Sequence, residues 1–181
     1  MKKLAETKAL AELETTKRRF QDLIKTNFET KARSCATCPT IGACCLDAHY
    51  VNVRITRLEA VAIRRTLAKL SAENQKQIYR RAAEAIEKYD LKRAEDESPK
   101  TFACPLFEKE IGCLVHSEGK PAPCIAHACY ENREDLPPED LQEEIELKIE
   151  GLNRRAYGDL KFLPLPVWLD LLNPFAEDSQ K

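Results

Sequence analysis

The chain has 181 residues, 43% of them hydrophobic and 33% charged, with a formal net charge of −1. That is enough for one domain with its own core, and no apolar run approaches the ~20 residues a bilayer span needs. The start, Met1-Lys2-Lys3-Leu4-Ala5-Glu6, leads into no apolar stretch of a secretory signal, so a reducing cytoplasm is the expected compartment.

Charge is divided along the chain. Residues 1–93 carry 20 Lys and Arg against 11 Asp and Glu, and residues 94–181 carry 9 against 19. A basic half suits an anionic partner such as nucleic acid. No nucleic-acid motif accompanies it, and pairing of the two halves is the simpler reading.

Only 5 glycines and an abundance of Ala, Glu, Lys, Leu and Arg favour helix. The fold class expected is mainly α: a helical domain with a loop-rich cysteine cluster and one short β-ribbon. Residues 1–33 form an N-terminal segment, helical over 2–33. There Leu10, Leu13, Phe20, Ile24 and Phe28 recur at helical spacing. Thr16 and Lys17 interrupt this stripe, so packing within the chain is preferred to a coiled-coil dimer. Residues 34–175 form a single metal-binding domain, and residues 176–181 a frayed tail.

Within that domain, Val51-Asn52-Val53-Arg54-Ile55 alternates as a strand. Its expected partner is Cys113–His116. Thr56-Arg57-Leu58-Glu59 is a capping box that opens a helix to about Leu70. Ser71 caps the next, roughly 72–94. Glu95–Pro99 is read as a linker. Pro137-Pro138 opens a helix that ends near Tyr157, with Leu141, Ile145, Ile149 and Leu152 inward. The apolar stretch Phe162–Leu169 is expected to wrap back onto the core.

Eight cysteines dominate the chemistry. They read as Cys35-x2-Cys38-x5-Cys44-Cys45 and Cys104-x8-Cys113-x10-Cys124-x4-Cys129. A reducing compartment argues against disulfides, and neighbours such as Cys44-Cys45 rarely meet disulfide geometry with each other. A Cys-x2-Cys step aims two sulfurs at one ion, and four thiolates complete a structural zinc site or an iron–sulfur cluster. Eight suffice for two such sites. The expected metal ligands are Cys35, Cys38, Cys44, Cys45, Cys104, Cys113, Cys124 and Cys129, with zinc or iron as the cofactor. A thioredoxin-like redox pair would need a β-α-β context that is missing.

Several pieces join the pattern: Gly42-Ala43-Cys44-Cys45, Cys104-Pro105-Leu106, Cys113-Leu114-Val115-His116 and Pro121-Ala122-Pro123-Cys124. Over about residues 34–130 the chain resembles the YkgJ-type cysteine-cluster proteins, whose domain is described as zinc- or iron-chelating. The resemblance implies that all eight cysteines belong to one metal-binding pattern. The chain departs from it at Ile125, where many members carry Arg, and at His127, where an aromatic residue is common. One branch of the family resembles a flagellin lysine N-methylase. Here, however, no Gly-rich nucleotide loop and no Cys-x3-Cys-x2-Cys of the radical-SAM type is found.

His49, His116 and His127 lie near cysteines. Eight thiols already saturate two tetrahedral sites, so these histidines are read as non-ligands, His127 being the best exception. No Gly-x-Ser-x-Gly, Walker loop or His-Glu-x2-His occurs, and no catalytic residue is assigned. The expected function is a metal-binding protein. An iron–sulfur oxidoreductase or methylase-like enzyme and a zinc-stabilised nucleic-acid-associated protein are the alternatives. The metal ion is the expected partner, with a protein or a second copy on the N-terminal helix as a further option.

Overall fold

The structure is a computed structural model that describes residues 2–34, 37–38, 40–46, 52–91 and 100–176. It is mainly helical. In chain order the elements are α1 (Glu6–Asn27), β1 (Ala32–Arg33), β2 (Arg54–Ile55), α2 (Arg57–Leu67), α3 (Ala72–Lys88), β3 (Phe107–Glu108), β4 (Gly112–Cys113), α4 (Ala122–Ala126), β5 (Cys129–Tyr130), α5 (Glu139–Tyr157), β6 (Leu163–Pro164) and α6 (Leu165–Leu171). Single 3-10 turns lie at Glu29–Lys31, Ala43–Cys45 and Arg133–Asp135. Among the described residues no helix is long and apolar enough to cross a membrane. The expected linker Glu95–Pro99 and residues 177–181 of the expected tail lie outside the described residues.

The chain divides into two compact units. One comprises Met1–Ile41 with Lys120–Leu160, the other Gly42–Gly119 with Lys161–Lys181.

The first unit is built on α1 and α5. The stripe of α1 buries Leu10, Leu13, Phe20 and Ile24, and α5 meets it with Ile145, Ile149 and Leu152. The stripe is therefore covered within the chain. The helices run antiparallel: Leu4 N–H donates to Arg155 O at 2.9 Å, and Tyr157 Oη to Glu6 Oε2 at 2.8 Å. Lys17, which interrupts the stripe in sequence, is itself buried. α5 ends at Gly158, whose φ of 85° is open to glycine without strain. Buried Asn153 donates to Asp159 O at 2.8 Å and secures that end. The long N-terminal helix expected over 2–33 stops at Asn27, and a 3-10 turn then feeds β1.

The second unit packs α2, α3 and α6 around one core. Ile55, Ile63, Leu67, Ile78, Ala82, Phe102, Leu106, Leu165 and Leu169 are each 0–1% exposed there. The capping box forms as its sequence dictates. Thr56 Oγ1 accepts from Glu59 N–H at 3.3 Å, and Glu59 Oε2 accepts from Thr56 N–H at 3.4 Å. Ser71 Oγ caps α3 by accepting from Asn74 N–H at 3.3 Å.

The ribbons correct the expected pairing. Of the predicted strand Val51–Ile55, Val51 lies outside the described residues, and Arg54–Ile55 pairs with Leu163–Pro164 and not with Cys113–His116. The segment at Cys113 instead closes on Phe107–Glu108, a few residues upstream. Loop closure explains the choice, because a short hairpin costs less chain entropy than a crossover from Val53. Glycine at 112 (φ 98°) makes that turn accessible. The apolar tail wraps back as expected. Leu165 N–H donates to Val53 O at 2.9 Å, and the Trp168 indole N–H to Ile55 O at 2.8 Å. Phe175 then sits edge-on to Tyr79, with ring centroids 6.0 Å apart.

Removing the core contact of this tail should be costly. Leu169→Ala, at a fully buried position, is expected to lose about 2–5 kcal/mol of unfolding free energy in urea. Leu171→Ala, at a position 61% exposed, should change it by less than about 0.5 kcal/mol. The single tryptophan, Trp168, reports both by fluorescence.

Candidate metal centre

In the second unit the cysteines are set by a short series of backbone contacts. Gly42 opens the 3-10 turn that carries Cys44 and Cys45, and Cys45 N–H donates to Gly42 O at 2.8 Å. Glycine is required there twice. Its φ is 84°, and the Phe107 ring lies so close that an added Cβ would meet Phe107 Cζ at 1.9 Å. The second cysteine cluster then meets this turn directly. Cys104 N–H donates to Cys45 O at 2.8 Å, and Phe107 N–H donates back to Cys104 O at 3.2 Å. Phe107 lies opposite Cys113 in the β3–β4 ribbon, which puts their Cα atoms about 4.5–5.5 Å apart. The apolar neighbours Phe102, Leu106 and Val115 are buried, and Cys104 and Cys113 pack against the same core.

Arg81 of α3 holds this ribbon from outside. Its Nη1 donates to Phe107 O at 3.2 Å and to Glu108 Oε2 at 2.8 Å. Its Nε and Nη2 are buried without a hydrogen-bond partner among the described residues. Arg81, ion-paired with Glu108, thus braces the strand that lies opposite Cys113.

In the first unit, β1 pairs with β5 so that Arg33 lies opposite Cys129 and Ala32 opposite Tyr130. An ion pair between Arg33 and Glu131 and one between Lys31 and Asp135 at 3.4 Å flank the ribbon. The chain leaving β1 turns back through Ser34, whose carbonyl accepts from both Thr37 N–H at 3.1 Å and Thr37 Oγ1 at 3.0 Å. Cys38 follows, its Sγ 3.7 Å from Thr40 Oγ1. Cys124 is carried on α4, which buries Ala122 and Ile125 and packs against α1 and α5.

The expected ligands are therefore distributed as follows. Cys44, Cys45, Cys104 and Cys113 fall in the second unit, and Cys38, Cys124 and Cys129 in the first. Cys35 and His49 lie outside the described residues. All seven described cysteines are half-buried. Among the described residues, no three His, Cys, Asp or Glu side chains stand in an arrangement that holds a metal ion. What the structure supplies is apposition of the backbone segments that carry the thiols. Four thiol donors in a unit match the chemistry of zinc and of iron–sulfur centres, whose ligand shells are thiolate-rich.

His116 is exposed, and its backbone N–H donates to Cys113 O at 3.1 Å. The His127 side chain reaches solvent, but partial burial of its ring, and secondarily the Lys120 charge, lower its pKa and favour the neutral imidazole. Away from the thiols, a groove of about 620 Å³ runs between α1 and α5, lined by Lys8, Glu12, Arg19, Leu147, Gly151 and Arg155 among others.

Two features escaped the sequence reading. The seat of Phe107 on Gly42 left no trace beyond a glycine in a cysteine loop. Arg81 had a weak signal, a cation next to Ala82 and three residues from Ile78 on the buried face of α3. In comparison with known proteins, no family model, no curated protein and no solved structure matches the chain.

The Gly42 seat makes a sharp prediction. Gly42→Ala should lose more than about 1 kcal/mol of stability in urea, from backbone strain and displacement of Phe107. Gly151→Ala, inside α5 with nothing within 4 Å of the new Cβ, should gain up to about 1 kcal/mol.

Proposed function

We propose that this chain is a metal-binding protein whose cysteine thiolates hold zinc or iron, either as single ions or as an iron–sulfur centre. The observation that carries the reading is the hydrogen bond from Cys104 N–H to Cys45 O. It lays the segment of Cys104 against that of Cys45, although 58 residues of sequence separate the two cysteines. The bond joins two backbone segments that each carry cysteines.

Two further points support the reading. The motif pieces between residues 34 and 130 resemble the zinc- or iron-chelating YkgJ-type pattern at all eight cysteine positions. Apart from Cys124 on the short helix α4, the described cysteines lie on loops, a 3-10 turn and two-residue ribbons, the kind of backbone that metal ligation stiffens. A reducing cytoplasmic compartment belongs to the same proposal, since it keeps thiols available as ligands. Any activity beyond binding has no residue assigned to it.

Metal analysis of protein purified without oxygen tests the proposal. At least one equivalent of zinc or iron per chain is expected. Absorbance near ~400 nm with acid-labile sulfide would assign iron–sulfur, and a colourless protein with stoichiometric zinc would assign zinc. Cys44→Ser should lower the bound metal and the unfolding midpoint together. A wild-type protein that takes up neither metal would overturn the proposal.

A further inference from the structure

We infer that two copies of this chain dock through the outer face of α5, in an antiparallel contact that seats Leu147 of each copy in the open space at Gly151 of the other. No cysteine takes part, so the contact stands or falls independently of the proposed metal binding.

Gly151 lies in the interior of α5, where glycine costs about 0.5–1 kcal/mol relative to alanine. It is not one of the glycines held at positive φ, and a Cβ added to it would meet nothing within 4 Å. Among the described residues, then, nothing calls for glycine at this position. Bare backbone does allow another molecule to approach closely. One turn earlier, Leu147 is 66% exposed and lines the same groove between α1 and α5. A lone exposed leucine is ordinary. Here it stands beside a recess that its own chain leaves unfilled.

Charge identifies the occupant. Residues four apart form a ridge on a helix surface, and packing of such ridges is the commonest helix–helix contact. On α5 one ridge reads Glu143, Leu147, Gly151, Arg155, about 18 Å from end to end. The order is acid, apolar knob, recess, base. Turned end for end about a two-fold axis midway between Leu147 and Gly151, this row complements itself. Leu147 meets Gly151 and Glu143 meets Arg155, and the symmetry repeats each contact.

The groove adds to the match at its basic end. Lys8 of α1 lines it together with Arg155. Lys8 is one turn from both Leu4, whose N–H donates to Arg155 O, and Glu12, which pairs with Arg155 at 3.6 Å. Lys8 and Glu143 are both exposed, and neither makes an ion pair with the described residues. An unpaired base thus sits at one end of the surface and an unpaired acid at the other. An unrelated acidic helix would satisfy Lys8 and leave Glu143 without a partner. A second copy satisfies both.

Sedimentation of the full-length chain in reducing buffer tests the contact, since no intermolecular disulfide can then contribute. A monomer–dimer equilibrium is expected within about 1–200 μM, the range of a modest interface. Leu147→Glu and Gly151→Leu should each leave only monomer over that range. Both change an exposed or open position, so the helical circular dichroism of the wild type should be retained. Lys8→Glu and Glu143→Lys should each weaken the dimer about five- to thirty-fold, because the symmetry doubles the effect of each exposed pair. The two together should regain most of that loss. A wild-type chain that stays monomeric, or a dimer that survives Leu147→Glu and Gly151→Leu, would overturn the inference. So would a double charge variant that associates no better than the weaker single one.

Discussion

The hydrogen bond between Cys104 N–H and Cys45 O is the constraint on which the thiol arrangement of the second unit turns. A net contribution of about 1 kcal/mol is all such a bond supplies, so it is held in place by what surrounds it. Phe107 lies over the bare backbone of Gly42 on one side. On the other, Phe102, Leu106 and Val115 are buried in the core, alternating along the chain with the half-buried Cys104 and Cys113. The core anchors the loop through its apolar residues and leaves the sulfurs between anchors. Arg81 then braces the ribbon from α3 through Phe107 O and Glu108.

The first unit solves the same problem with a different scaffold. A long antiparallel pair, α1 and α5, carries α4 with Cys124, and a two-residue ribbon carries Cys129. Two-residue ribbons have little stability of their own. They depend on packing at their ends and, where thiolates take a metal, on the ion. Most of the described cysteines thus sit on segments with little regular structure of their own.

The helices were legible in the sequence because each advertises itself locally. The spacing of Leu10, Leu13, Phe20 and Ile24 gives α1, Thr56 with Glu59 gives the start of α2, and Ser71 gives the start of α3. The apolar segment at Trp168 was legible as something that must be buried. Partner choice was not. Alternation marks Arg54–Ile55 as extended but carries no record of Leu163–Pro164, and the Cys113 segment is claimed by its own hairpin. The candidate ligands were legible as residue types. Their division between units was not, because it depends on where tertiary packing parts the chain, at Gly42 and at Lys120. The buried Lys17 shows the same limit: a charge that breaks a stripe on paper is buried with it.

X-ray absorption at the zinc or iron edge of the purified protein reads the ligands of any metal it holds. The account predicts a shell of sulfur alone, about four per metal at about 2.3 Å. A shell dominated by nitrogen or oxygen, from imidazole or carboxylate, would contradict the assignment of the cysteines as the metal-holding residues.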